Sequence, residues 1–212
     1  MDTKQAYNNW APQYDNNANK TRDLEGQALR TSLAALSFNN CLEIGCGTGK
    51  NTEWLITKTQ QVSSVDFSAG MLALAKEKIG SGKVQFIQAD ISAPWTFRKQ
   101  FYELVSFSLV LEHIEHLDHV LKEAADSLVQ GGHVYIGELH PFKQYSGTRA
   151  RYESEGGPQV LECFVHNLSD FIQIAKKYGL SPVDINEYFD ENDRTRIPRI
   201  LTILLRKNKN SG

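Results

Sequence analysis

Three glycines alternate with small residues in Leu42-Glu43-Ile44-Gly45-Cys46-Gly47-Thr48-Gly49, between a short apolar run and a helical stretch. No other segment constrains the fold as much. Glycine adopts positive φ at little cost and lets backbone approach a ligand closely. The helix behind the bend offers unpaired N–H groups. The carboxyl end of a parallel strand is where a ligand crevice opens in an α/β sheet. The spacing is G-x-G-x-G, with Lys50 after the last glycine, so it departs from the dinucleotide pattern G-x-G-x-x-G. Glu43 stands two residues before the first glycine and would repel a pyrophosphate. It suits a ligand with positive charge, such as an α-ammonium or a sulfonium.

Strand and helix patterns alternate around this bend. Apolar runs at 41–44, 62–66, 84–88, 104–111 and 133–139 predict strands, the fourth nearly all apolar as a buried central strand should be. Helical periodicity marks 22–37, 51–59, 69–79 and 117–128, with Gly80 and Gly131-Gly132 as stop signals. This βα alternation predicts a parallel α/β sheet. Further strands are expected at 159–166, 182–188 and 199–206, with a helix at 168–178. The first 20 residues are polar and turn-rich, and no core helix is expected there. The whole chain, 1–212, is expected to form a single domain, with 1–37 as an N-terminal cover and 141–165 as an inserted lid.

Acids stand at three successive strand ends: Glu43, Asp66 and Asp90. Asp66 lies 21 residues after Gly45, a spacing at which a carboxylate accepts hydrogen bonds from ribose hydroxyls. Asp90 is placed to take a hydrogen bond from an adenine amino group. The bland alternatives are helix caps for Asp66 and Asp90 and a plain strand-end charge for Glu43.

As an ordered set, LEIGCGTG, SSVDFSAGMLALAKEKI, FIQADIS, YELVSFSLVLEHIEHL and LVQGGHVYIGE resemble the motifs of class I S-adenosylmethionine-dependent methyltransferases. The small-molecule branch, with the ubiquinone, menaquinone and biotin pathway enzymes, is the nearest pattern. The resemblance implies a Rossmann-like fold: a seven-stranded, mostly parallel sheet with an antiparallel last strand and helices on both faces. It implies S-adenosyl-L-methionine as cofactor and S-adenosyl-L-homocysteine as product. Gly45, Cys46, Gly47 and Gly49 would lie under the methionine part, and Asp66 would hold the ribose. Phe67 and Met71 would flank the adenine, Asp90 and Ile91 would border its edge, and Ser108 and Leu109 would form the floor. Tyr14 matches a Tyr-Asp segment that folds over the cofactor, and His113 would line the pocket.

Methyl transfer releases a neutral thioether, so the leaving group needs no acid. A base is needed only where the nucleophile carries a proton of high pKa. His140, before Pro141 at the end of the fifth strand, is the expected catalytic base, with Glu138 a weaker alternative. His113, His116 and His119 suggest metal binding, but helical spacing lets two share an ion and not three. Some quinone-pathway and small-RNA methyltransferases carry Glu-x-x-Glu-His here as metal ligands, and Leu109 replaces the first acid, so no metal is assigned. In the lid, Tyr145, Arg149, Arg151 and Tyr152 are available to a substrate, and an arginine pair suits a carboxylate.

Lys and Arg total 23 against 25 Asp and Glu, a net charge of −2 with no basic footprint for nucleic acid. No apolar run approaches the length of a membrane span, and the N-terminus has no apolar signal core. Three cysteines favour reduced thiols. The expectation is a cytoplasmic monomer or homodimer acting on a small-molecule acceptor, without nucleic-acid or membrane partners. Rival readings are a catalytically silent cofactor-binding subunit and a NAD(P)-dependent oxidoreductase. A nucleic-acid base methyltransferase is less favoured, because no Asn/Asp-Pro-Pro-aromatic motif follows the fourth strand.

Overall fold

In this computed structural model the apolar run at 102–108 is a central strand, and burial on both faces explains its composition. The structure describes residues 3–15, 19–154 and 157–209. The helices are α1 (Thr3–Tyr14), α2 (Lys20–Leu33), α3 (Thr52–Lys58), α4 (Ala69–Lys78), α5 (Leu117–Ser127), α6 (Pro141–Tyr145) and α7 (Leu168–Lys177). The strands are β1 (Asn40–Ile44), β2 (Gln61–Asp66), β3 (Val84–Gln88), β4 (Tyr102–Ser108), β5 (Leu128–Leu139), β6 (Arg151–Ser154), β7 (Gly157–Val160), β8 (Leu180–Tyr188) and β9 (Ile200–Lys207).

Seven strands form one sheet in the order β3-β2-β1-β4-β5-β9-β8. From β3 to β5 the neighbours are parallel, and β9 runs antiparallel to both β5 and β8. Helices cover both faces, as the two-residue period of the strands requires. Cys41, Leu104 and Tyr135 pack with Leu29 and Leu33 of α2 and Leu55 of α3. Their chain neighbours Leu42, Val105 and Val134 pack on the opposite face with Leu121 of α5 and Phe171 of α7. Each such aliphatic side chain contributes about 1.5–3 kcal/mol on burial. The strand order reverses between β1 and β4, which opens the crevice at their carboxyl ends.

Four local expectations need correction. Residues 3–14 form α1, because Ala6, Trp10 and Ala11 recur at helical spacing and bury one stripe. The Gly131-Gly132 pair does not stop a helix: α5 ends at Ser127, and the glycines lie inside β5. Gly131, at φ 80°, falls where the register slips from Tyr102↔Leu128 to Leu104↔His133. β4 ends at Ser108, three residues early, because Leu109 turns to φ 56° and Leu111–His113 form a 3-10 turn. The strand expected at 159–166 is shorter: β7 pairs only with β6, in a separate antiparallel ribbon.

Candidate functional site

A cavity of about 950 Å³ lies at the carboxyl ends of β1, β2, β3 and β4. The glycine bend forms part of its floor. Gly45 has φ 71°, and a Cβ there would sit 2.0 Å from Val110 Cγ2. Gly47 has φ 53°, and a Cβ there would meet nothing within 4 Å. The first glycine is therefore needed for close packing, and the second presents bare backbone to open space. Gly49 packs against α4 instead, where an added Cβ would lie 2.6 Å from Ile79 Cδ1.

Asp66 ends β2 and braces the bend. Its Oδ2 accepts from the Gly47 amide at 2.9 Å, and its Oδ1 accepts from the Ser68 amide at 2.9 Å. Burial raises the carboxyl above its ordinary value, and these backbone donors pull it back. Phe67 and Met71 continue the wall, and Asp90 and Ile91 close the far side. Asp90 Oδ1 also accepts from Ser92, through the amide at 2.9 Å and the hydroxyl at 2.6 Å. Ser108 and Leu109 line the cavity from β4. The left-handed backbone of Leu109 is uncommon for a branched residue, and strain of this kind concentrates at functional sites.

The other acidic strand end does not reach the cavity. Glu43 is buried beneath the bend, where its Oε2 accepts from Thr52 Oγ1 at 2.6 Å and Ser64 Oγ at 2.7 Å. Burial pushes its carboxyl up to about 7. Asp66 and Asp90 therefore share the cavity wall, whereas Glu43, Cys46 and Gly49 support it from behind.

Helix α1 covers the crevice with an aromatic side on which Tyr7 and Trp10 join the expected Tyr14. Tyr7 and Tyr14 line the cavity, and Trp10 packs on Tyr14 with ring centroids 4.7 Å apart. Their i, i+3, i+7 spacing was the available signal, hidden among the asparagines. Asn8 Oδ1 accepts from Ser68 Oγ at 2.7 Å and from the Gly70 amide at 3.2 Å. Thr48 Oγ1 donates to Asp15 Oδ1 at 2.7 Å, which ties the end of α1 to the glycine bend. The insert packs on α1 through Leu161, Ala150 and Cys163. Phe164 lines the cavity, whereas Arg149 and Arg151 are exposed outside it. The Tyr152 side chain lies outside the described part of the structure.

The histidine run is not one helix. His113 ends the 3-10 turn, His116 is the extended N-cap of α5, and His119 lies within α5. The helical spacing argument for a shared ion therefore does not apply. His119 Nε2 lies 3.1 Å from the Ala93 carbonyl oxygen. His113 lines the cavity and packs against a different pair: Glu112, His113 and Cys163 have side-chain donor atoms within 4.8 Å of one another.

His140 lies elsewhere. It borders a second cavity, of about 490 Å³, beside α6, α7 and β8. Its Nδ1 accepts from the Phe142 amide at 3.2 Å, capping α6, so Nε2 carries the hydrogen and donates to Glu187 Oε1 at 3.0 Å. Both ring nitrogens are engaged, and neither faces the main cavity. Glu138 is buried behind the turn, where its Oε1 accepts from the amides of Val110 at 3.0 Å and Leu111 at 2.8 Å. Burial, reinforced by nearby Glu112, pushes Glu138 up to about 8.

Residues 42–136 match the family described as a methyltransferase domain. The chain is 31% identical over 134 residues to malonyl-[acyl-carrier protein] O-methyltransferase from Priestia megaterium, covering 61% of this chain and 48% of that protein. It is 26% identical over 110 residues to ubiquinone biosynthesis O-methyltransferase from Nitrosomonas europaea, covering 51% and 47%. The chain thus spans about half the length of these curated relatives. Among solved structures, N-methyltransferase NodS from Bradyrhizobium japonicum WM9 in complex with S-adenosyl-l-homocysteine aligns at TM-score 0.73 and 18% identity, covering 99% of this chain and 100% of that one. A putative S-adenosylmethionine-dependent methyltransferase from Listeria monocytogenes aligns at TM-score 0.74 and 22% identity, covering 88% and 99%. By sequence over 42–136 the chain is similar to the methyltransferase-domain family, and across the seven-stranded sheet it shares its fold with solved S-adenosylmethionine-dependent methyltransferases.

Proposed function

We propose that the protein transfers a methyl group from S-adenosylmethionine to an oxygen or nitrogen of a small molecule by in-line displacement. The observation that carries this reading is Asp66. Its oxygens accept from backbone amides that include Gly47 and Ser68, and a carboxylate has about four acceptor sites, so acceptor capacity remains for a ligand in the cavity wall. Two neighbouring ribose hydroxyls are the matching donors. The bare backbone at Gly47 leaves room for the amino-acid part of the ligand. Phe67 and Met71 offer apolar contact to a flat base, with Asp90 and Ile91 at its edge.

S-adenosylmethionine supplies the methyl on a sulfonium whose leaving group is a neutral thioether. The chain itself has to orient the acceptor and keep water out. α1 and the insert roof the crevice for that purpose. Holding nucleophile and methyl in line lowers the barrier by several kcal/mol without any acid. Relatives named for O-methylation and a structural neighbour named for N-methylation support an oxygen or nitrogen acceptor.

The same reading takes the protein as a cytoplasmic monomer or homodimer without nucleic-acid or membrane partners. A near-balanced charge, −2 overall, supports the part that sets nucleic acid aside. Among the described residues, no helix is long and apolar enough to cross a membrane. Incubation with methyl-tritiated S-adenosylmethionine and pools of small phenols, amines and carboxylic acids tests the proposal. Label should move to at least one pool. Tight S-adenosylhomocysteine binding with no transfer to any pool would favour a silent cofactor-binding subunit.

A further inference from the structure

Tyr7 and His113 are 106 residues apart in the chain, yet Tyr7 Oη lies 2.9 Å from His113 Nε2. The rings meet edge to face, with centroids 5.5 Å apart at 83°. The other imidazole nitrogen, Nδ1, lies 3.1 Å from the carbonyl oxygen of Glu162 in the insert. A carbonyl can only accept, so Nδ1 carries the hydrogen. Nε2 is then bare, and the Tyr7 hydroxyl donates to it. The insert's backbone thus selects the tautomer in which His113 can receive a proton through Tyr7. Both side chains line the main cavity, and Phe67 of the proposed adenosyl wall packs 5.8 Å from the Tyr7 ring.

An acid and a thiol flank His113. Glu112 Oε1 lies 4.0 Å from His113 Nε2, and the Glu112 side chain is buried. Cys163 and Gln144 are the polar side chains that bear on its carboxyl. Cys163 is a further titratable neighbour, and burial raises its thiol to about 12, so it stays uncharged; Tyr14 and Asp66 also act on Tyr7. Burial raises the Glu112 carboxyl above its ordinary value, and His113 beside it pulls it back. Burial also raises Tyr7 well above the ordinary phenol value, which keeps its proton in place between turnovers.

We infer that Tyr7 and His113 form a proton relay serving the methyl acceptor, which therefore reacts through a proton-bearing group, a hydroxyl or the N–H of a neutral amine. The inference rests on the methyl-transfer reading above. In the step, a lone pair of the acceptor atom forms the bond to the methyl carbon, and the pair of the broken C–S bond stays on sulfur. The acceptor's proton passes to Tyr7 Oη as the Tyr7 proton passes to His113 Nε2. The imidazolium, held beside Glu112, afterwards releases that proton to solvent.

A simple latch holding α1 in place would use the same hydrogen bond, and the test separates the two roles. Tyr7→Phe and His113→Asn are compared with the wild type for S-adenosylhomocysteine affinity by calorimetry and for turnover. The acceptors are phenols and primary amines on one side, and tertiary amines and thioethers, which have no proton to lose, on the other. The relay predicts that each variant loses about 100-fold in kcat on the proton-bearing acceptors, the usual scale of general-base catalysis. It also predicts a loss of S-adenosylhomocysteine affinity far smaller than the loss of kcat, and little penalty on the proton-free acceptors. Equal loss on both classes, unchanged kcat, or an affinity that falls in step with kcat would overturn it. Nitrogen NMR of His113 in the S-adenosylhomocysteine complex should show the neutral Nδ1–H tautomer, and the Nε2–H tautomer would contradict the relay. A wild type that binds S-adenosylhomocysteine but methylates none of these acceptors would remove methyl transfer itself, and the relay with it.

Discussion

Asp66 Oδ2 accepts the Gly47 amide hydrogen at 2.9 Å, joining the end of β2 to the bend that follows β1. One carboxylate thus holds the floor of the cavity and forms part of its wall. Asp66→Ala removes both functions. Hydrogen bonds to a charged group contribute about 1.5–3 kcal/mol each, so losing two ligand contacts should weaken S-adenosylhomocysteine binding at least about 100-fold. Calorimetry on Asp66→Ala checks this, and wild-type affinity would show that Asp66 only braces the bend.

Gly45 leaves no room for a side chain. A Cβ there would sit 2.0 Å from Val110 Cγ2, on backbone at φ 71°. Gly45→Ala should lower the melting temperature and abolish S-adenosylhomocysteine binding, because the bend and the turn after β4 must move apart. Adding Val110→Ala should recover part of the stability but leave the φ strain, about 1–3 kcal/mol. Thermal melts of both variants test the order wild type, double variant, Gly45→Ala.

Three buried carboxyls make stability fall as pH rises. Burial holds Glu25 and Glu43 at about 7 and Glu138 at about 8. All three lie above their values in an unfolded chain, so the folded state binds more protons and its advantage is lost as pH climbs through these values. The window runs from the ordinary carboxylate range up to about 8. Each group contributes a slope of up to about 1.4 kcal/mol per pH unit where it is protonated only in the fold. Melting temperature should decline from about pH 6 to about pH 8, and Glu138→Gln should flatten that decline. An unchanged slope in Glu138→Gln would mean that Glu138 is already ionised in the native protein.

His140→Ala should cost stability and leave the main cavity intact. It removes the cap on the Phe142 amide and the contact with Glu187, at 3.2 and 3.0 Å. A lost cap costs about 1 kcal/mol. Thermal melts should show the loss, with S-adenosylhomocysteine affinity and turnover unchanged. Lost turnover in a fully stable variant would restore His140 as the base.

The sheet and its crevice were legible in the sequence because each rests on local pattern. The buried runs at β1, β4 and β5 and the glycine bend point to a parallel sheet and its crevice without any long-range information. Asp66 and Asp90 follow, since strand ends on one sheet edge share one crevice. Glu43 misled because a strand residue's facing depends on packing, and Thr52 and Ser64 sit ready to hold it below the bend. His140 misled for a related reason: Pro141 starts a short helix, whose first turn needs a cap. Tyr7 stayed hidden because α1 packs on the insert and α4 rather than on the sheet, and its polar residues dilute the periodic stripe. The link from Tyr7 to His113 spans 106 positions and is visible only once the chain has folded.

Calorimetric titration of S-adenosylhomocysteine into the wild-type chain, with NAD as the parallel titrant, tests the central claim most directly. The account predicts saturable heat at one ligand per chain for S-adenosylhomocysteine and none for NAD. No heat with S-adenosylhomocysteine, or saturable binding of NAD in its place, would contradict it.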